Sequence, residues 1–370
     1  MSKHVVMIIA NSSNPSYFRW FSELNSKSKE LKLSYVYLSI SKPPIMDELN
    51  VFNVTSYWYK FNYTKKKYIQ YLIIFIKLFF LFVKIKPDVV QTNLFDDSLP
   101  ALLAAKLLGI KKRIITKQDT GFHIKYAPKW LFLDRFNNYN ATDIIVVSKE
   151  TMELITKFEK PNPSKLKLIH HGVDEIFFSI RNDEFIEKFK KKHHLEGKII
   201  VGTVARYIEL KGYKNIIEAA KLCTNDNIVF IGVGWGELKN ELELLIKKYN
   251  LEGKVILTGK IEYENMPSVF KCFDIYLHTA IYEPFGFVIA EAMFSKIPVV
   301  STNVGASRDV IIHKENGYII KFDDGNDIVN GINYILSNNP SDFSEKAYKI
   351  AKLNFAMNIM WNKYKNLYLS

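Results

Sequence analysis

Residues 275–302 read IYLHTAIYEPFGFVIAEAMFSKIPVVST. The run from Ile275 to His278 has the apolar and aromatic content of a short buried strand. A Pro284-x-Gly286 turn follows it. Phe287 to Phe294 then reads as a helix, and residues 298–302 as a second apolar strand. A strand, a helix and a strand at this spacing form the unit that lays two strands parallel.

The same alternation continues on both sides. Towards the N-terminus of this half, strands are expected at 199–205, 227–231 and 255–258, with helices at 215–223, 237–249 and 266–272. The first half of the 370-residue chain repeats the scheme, with strands expected at 4–10, 33–38, 88–92, 113–116 and 143–147. A helix at 98–108 is opened by Pro100 and closed by Gly109. A loop rich in Pro and Ser at 160–165 precedes a strand at 166–170. The fold class is α/β, with two Rossmann-like, doubly wound domains facing across a cleft. The boundaries expected are 1–172 for the first domain and 173–353 for the second. An aromatic-rich helix at 354–370, bearing Phe355, Trp361, Tyr364 and Tyr368, follows the second domain. Ligands of such folds lie at the carboxyl edges of the strands.

The quoted stretch also carries chemistry. Glu283 follows the strand, and the turn then opens a helix whose first amides belong to Gly286, Phe287 and Val288. Free N–H groups at a helix start, with the dipole behind them, suit a phosphate. Glu283 and Glu291 cannot be phosphate ligands, so they should face hydroxyls. A sugar and a ribose supply hydroxyls on either side of a diphosphate. Arg206 and Lys211-Gly212 follow the strand at 199–205, where two cations would neutralise a diphosphate leaving group. Taken alone, this is equally an ordinary loop with solvated cations. Gly232-Val-Gly234-Trp-Gly236 follows the next strand as a further loop of close approach, a weak signal by itself.

Charge is unevenly placed. Through residue 172 the chain has 26 Lys+Arg against 13 Asp+Glu, and from residue 173 onward 25 against 25, so the whole net charge of +13 belongs to the first half. Such a field attracts anionic partners, whereas a lysine-rich genome alone would not leave one half balanced. A nucleic-acid partner is not expected, because no binding motif or interleaved surface aromatics accompany the charge. The two cysteines, Cys223 and Cys272, sit outside any CxxC pair, which argues against a disulfide framework or zinc cluster and for the cytoplasm. The apolar start of the chain is too short for a signal-peptide core.

Residues 68–83 (YIQYLIIFIKLFFLFV) are strongly apolar and follow three lysines. Gln70, Lys77 and Lys84 recur every seven residues, giving a helix with one narrow polar face and a wide apolar one. A core helix and a membrane span are the competing readings. The favoured one is a domain helix that also docks on an anionic membrane surface, placing the protein peripherally at the inner face of the membrane.

Together these elements resemble the retaining glycosyltransferases of family 4, which have the GT-B fold. The resemblance covers nearly the whole chain. Its strongest element is E-x7-E, Glu283 and Glu291 in YEPFGFVIAEAM, with IPVVSTNVGASRDVI, NGYII and IGVGWGELKNELELL beside it. It implies that Glu291 binds ribose hydroxyls, that Arg206 and Lys211 hold the diphosphate, and that Glu283 contacts the transferred sugar. Gly286, Phe287, Val288 and Gly234 would complete the donor pocket, with Lys260 and Ile261 beside the base. It also implies that the helix at 354–370 crosses back to pack on the first domain, and a nucleotide-sugar donor, UDP first and GDP next, with neither a cofactor nor a divalent metal.

The first half departs from the family pattern. Asn11-Ser12-Ser13-Asn14 stands where many relatives have a Gly-Gly loop. Gln91-Thr-Asn93 and Lys117-Gln118-Asp119 stand where histidines are frequent, and His123 follows closely. Asp119 and His123 are the catalytic candidates there. Asn11, Asn93, Gln118, Thr120 and His171 are the candidates on the acceptor side. The acceptor expected is a glycan or a lipid-linked glycan of surface polysaccharide or glycoconjugate assembly. An epimerase on the same scaffold, which needs no acceptor, and a silent nucleotide-sugar-binding subunit are the alternatives.

Overall fold

β1 (Lys3–Ala10) is buried along all but its first residue, as a strand must be when helices cover both faces of an all-parallel sheet. Around it lie β2 (Leu31–Ser39), β3 (Thr55–Lys60), β4 (Val89–Thr92), β5 (Lys112–Lys117), β6 (Asp143–Val146) and β7 (Leu166–Leu168). The order is β3-β2-β1-β4-β5-β6-β7, and every pairing is parallel. A second sheet contains β8 (Ile199–Val204), β9 (Ile228–Val233), β10 (Val255–Gly259), β11 (Ile275–His278), β12 (Val299–Thr302) and β13 (Tyr318–Ile320). It runs β10-β9-β8-β11-β12-β13, again all parallel. These coordinates come from a computed structural model, which describes residues 2–10, 15–28, 30–62, 67–118, 121, 123–124 and 127–370.

The chain divides into two units. One is Met1–His170 with Asn358–Ser370, and the other is His171–Met357. In each sheet the strand order reverses at the first strand. β1 has β2 on one side and β4 on the other, and β8 has β9 and β11. Crossovers leave such a strand on opposite faces, which opens a crevice at its carboxyl end.

Two strands were not expected. β3 (TSYWYK) is half-buried at a sheet edge, so its side chains lack the continuous apolar run that marks the others. β13 has only three residues. The terminal helix also differs from expectation. Pro340–Phe355 and Met357–Leu369 are separate helices, broken at Ala356, whose ψ of 141° is extended. Ala356 pairs with Val173, and the Val173 N–H donates to the Phe355 carbonyl at 2.8 Å. The last helix packs Trp361 and Tyr364 edge-on against Phe21, at 5.1 and 5.0 Å between ring centres. The Tyr368 hydroxyl donates to Gln91 Oε1.

The apolar segment around residue 75 is the helix Lys67–Ile85. Ile74, Leu78 and Phe82 are buried in the core of the first unit, which makes it a helix of the domain. Gln70 closes its start by bonding both the N–H and the carbonyl of Asn62, at 2.5 and 2.6 Å. Ile69, Leu72, Ile73, Ile76, Phe80 and Val83 recur at helical spacing on another face, and all six are exposed.

Candidate functional site

The carboxyl ends of β8 and β11 carry the groups singled out in the second unit. Beyond β8, Arg206 is exposed, and its guanidinium has no ion pair among the described residues. A short 3-10 turn, Glu209–Lys211, then brings the chain to Gly212. Gly212 has φ 66°, and a Cβ there would lie 2.1 Å from the carbonyl oxygen of Thr279, so no side chain fits. The close approach is locked by the Thr279 hydroxyl, 3.0 and 3.2 Å from the carbonyls of Lys211 and Gly212. The Ile281 N–H also donates to the Leu210 carbonyl at 3.0 Å.

This docking places the Lys211 ammonium on Glu283 Oε2, an ion pair between two largely buried side chains. His278, the last residue of β11, puts Nε2 3.7 Å from the same oxygen. Burial and the Lys211 charge push the His278 imidazole down to about 3, so it is neutral near pH 7. The chain then turns at Gly286, with φ 84°, where a Cβ would meet the Glu283 side chain at 2.9 Å. Gly286 caps the helix Phe287–Phe294; the Ile289 N–H donates to the Gly286 carbonyl at 3.0 Å, whereas the Phe287 and Val288 amides have no backbone partner among the described residues and are available to an anion.

Glu291 lies one turn and a little more inside that helix and is half-buried. Its carboxyl has neither an ion pair nor a hydrogen bond among the described residues, and burial pushes it up to about 8. A carboxyl in that state fits a partner that brings its own donors, such as a pair of hydroxyls. On the far side of β8, the Tyr207 hydroxyl donates to the Gly232 carbonyl at 2.9 Å and accepts the Gly259 N–H at 3.3 Å. It thereby ties together the carboxyl ends of β9 and β10. Gly234 donates its N–H to the Gly259 carbonyl at 3.0 Å. Lys260 is exposed and pairs with Glu262 at 3.3 Å, and Ile261 is half-buried.

The structure brings Lys211 and Glu283 into contact with Gly286 beside them, while Arg206 follows β8 and Phe287, Val288 and Glu291 lie on the helix that follows β11. Three neighbours escaped the sequence reading. Thr279 and Tyr207 act through backbone contacts that no motif marks. His278 was legible only as a strand end, although a histidine at a carboxyl edge is itself a signal.

His171 belongs to this unit and is buried. It stacks on Phe287 at 4.8 Å and meets Phe285 edge-on at 5.3 Å. These ring contacts make it a support of the Phe287–Phe294 helix.

In the first unit, Asn11, Asp119 and Thr120 lie outside the described residues. Asn93 is buried, and its side chain donates to the Ile8 carbonyl at 3.0 Å while Asp97 accepts its N–H at 3.2 Å. These bonds make it a strut between β1 and the helix Phe95–Leu107. Gln118, at the end of β5, is half-buried. His123 puts Nδ1 2.6 Å from Asp134 Oδ2 and sits edge-on to Phe95 at 4.2 Å. Lys117 joins the same cluster, 3.1 Å from Asp134 and 2.8 Å from Glu159. Burial pushes the Asp134 carboxyl up, but the His123 hydrogen bond and the Lys117 charge outweigh it and hold the carboxyl below its usual range.

Residues 184–352 match the family described as Glycosyl transferases group 1, and residues 34–176 match Glycosyltransferase Family 4. An uncharacterized glycosyltransferase of Methanocaldococcus jannaschii is 26% identical over 209 residues, which is 55% of this chain and about half (53%) of that protein. The UDP-Gal:alpha-D-GlcNAc-diphosphoundecaprenol alpha-1,3-galactosyltransferase of Escherichia coli is 25% identical over 268 residues, 70% of this chain and 68% of that protein. Among solved structures, Anabaena HepE in complex with UDP superposes with a TM-score of 0.82 at 18% identity, covering 98% of both chains. That likeness gives the fold its name, GT-B.

Proposed function

Because this chain belongs to the family 4 glycosyltransferases, we propose that it transfers a sugar from a UDP-sugar to a lipid-linked glycan, with retention of configuration and without a divalent metal. The observation that carries the donor half of this reading is the constellation at the β8–β11 switch point. Two cations and a helix start suit a diphosphate, and a carboxyl without a partner among the described residues suits the hydroxyls of a ribose. Arg206 and Lys211 supply the positive charge that a metal would otherwise bring to the leaving diphosphate.

In the reaction proposed, the bond from the anomeric carbon to the donor phosphate oxygen breaks while the acceptor hydroxyl oxygen attacks from the same face. The acceptor proton passes to the departing phosphate. The protein contributes position and charge. Lys211 moves from Glu283 towards the diphosphate, and Glu283 then accepts a hydroxyl of the sugar. The Escherichia coli relative acts on a diphosphoundecaprenol-linked sugar. A lipid-linked acceptor for this chain agrees with its cationic first half and with the exposed strip of the Lys67–Ile85 helix. In this reading the strip docks on the inner face of an anionic membrane from the cytoplasmic side.

The test is thermal stabilisation by UDP, GDP, ADP and their sugars, with and without EDTA. A shift with UDP that survives chelation is expected. No shift with any nucleotide would refute the donor site. A shift abolished by EDTA would refute the metal-free site.

A further inference from the structure

We infer that the amino edge of the first sheet holds a site for the headgroup of an acidic phospholipid, at the end of the exposed strip on the Lys67–Ile85 helix. This rests on the membrane docking just proposed and names the lipid partner. A cavity of about 920 Å³ opens where β1, β4 and β5 begin. Phe82, Leu108 and Ile110 give it apolar walls, and Val83 belongs both to the wall and to the strip. Val83 therefore joins the exposed strip to the cavity.

Four lysines line the same cavity. Lys3 donates to the carbonyls of Tyr368 and Leu369 at 3.2 and 2.6 Å, and Lys112 lies 3.6 Å from Asp143 and 2.8 Å from the Ser370 hydroxyl. Lys86 and Lys111 are exposed and have no ion pair among the described residues. Lys86 has φ 45°, and its N–H returns to the Phe82 carbonyl at 2.8 Å, so the chain leaves the helix abruptly at the cavity rim.

Two features oppose an anion. Asp88 lines the cavity and accepts the His4 N–H at 2.7 Å, and the helices Lys67–Ile85 and Phe95–Leu107 both end nearby with partly negative carbonyls. Four positive charges still exceed the two carboxylates, Asp88 and the Asp143 beside Lys112, and the two fractional helix ends. The shape then selects the ligand. An anionic head joined to an apolar tail satisfies the cavity and the strip together, whereas a soluble phosphate satisfies only the rim. The amino edge is also the opposite end of the strands from Gln118, so the site is separate from the acceptor candidates.

Flotation of the full chain with phosphatidylcholine vesicles, with and without phosphatidylglycerol, tests this. The parent should prefer the anionic vesicles. Lys86→Ala/Lys111→Ala should weaken that binding by about thirty-fold, each cation at an anionic surface being worth about five-fold. Lys191→Ala/Lys192→Ala, an equal charge change in the second unit, should weaken it several-fold less. Thermal stabilisation by UDP should be unchanged in both. Equal losses in the two doubles would overturn the site in favour of a diffuse field. Displacement from vesicles by millimolar inorganic phosphate would overturn the lipid as its occupant. If the parent ignored both kinds of vesicle, site and docking would fall together while the UDP shift still reported on the donor site. Ile76→Ser/Phe80→Ser should abolish binding to either vesicle.

Discussion

Raising the pH from 7 to 9 should tighten donor binding, because Glu291 must lose a proton before it can accept two hydroxyl hydrogen bonds as a carboxylate. Burial pushes its carboxyl up to about 8. At pH 7 the deprotonation costs about 1.4 kcal/mol, one pH unit below that value, and by pH 9 the cost has nearly gone. The dissociation constant of a nucleotide-sugar should therefore fall about tenfold over this range. Hydroxyl donors stabilise the charged form, so the complex releases close to one proton when it forms at pH 7. Isothermal titration in two buffers of different ionisation enthalpy reads both quantities. A nucleotide-sugar is preferable to the free diphosphate, whose terminal phosphate has a titration of its own. Glu291→Gln should bind more weakly at pH 9 and show neither pH dependence nor proton release. A flat profile in the parent, or an unchanged slope in the Gln variant, would refute the assignment.

Stability should move the opposite way. A carboxyl raised on folding contributes a penalty that grows as pH rises from its unfolded value towards about 8, so Glu291→Gln should melt higher than the parent at pH 8.5 and close to it at pH 5. Lys211→Ala should lower turnover by about two to three orders of magnitude, read as kcat with saturating donor, and near-normal turnover would remove Lys211 from the chemistry. Gly212→Ala introduces both a left-handed alanine and a Cβ 2.1 Å from the Thr279 carbonyl, so unfolding in urea should show a loss of about 2 kcal/mol or more. Trp361→Ala should destabilise the chain by about 3 kcal/mol or more through the cavity left against Phe21, in the same unfolding assay.

Much of this protein was legible in its sequence, for a physical reason. Strands buried on both faces write continuous apolar runs, so β1, β8, β11 and β12 announce themselves. β3 did not, because an edge strand with half-buried aromatics resembles a loop as much as a strand. The break at Ala356 was hidden for a related reason. Alanine is the best helix former, and only its pairing with Val173 makes the extended conformation win. In the site, the types of Arg206, Lys211, Glu283 and Glu291 were enough to suggest a diphosphate between hydroxyls. The ion pair across 72 residues and the lock supplied by Thr279 required the sheet order, which no local pattern encodes. The bond that Asn93 makes to Ile8 likewise depends on the sheet order and is not marked by any local pattern.

The pairing of Val173 with Ala356 has a consequence for how such a chain can be rearranged. The second unit begins and ends side by side, and its two ends hold one another through a backbone hydrogen bond. A segment whose termini already meet can be cut out, or exchanged for a counterpart from another protein, with little loop-closure entropy to overcome. Residues 171–357 are in this sense a cassette. A graft at those two points would let a new nucleotide specificity be joined to an unchanged first unit in a single recombination, leaving every strand of both sheets intact.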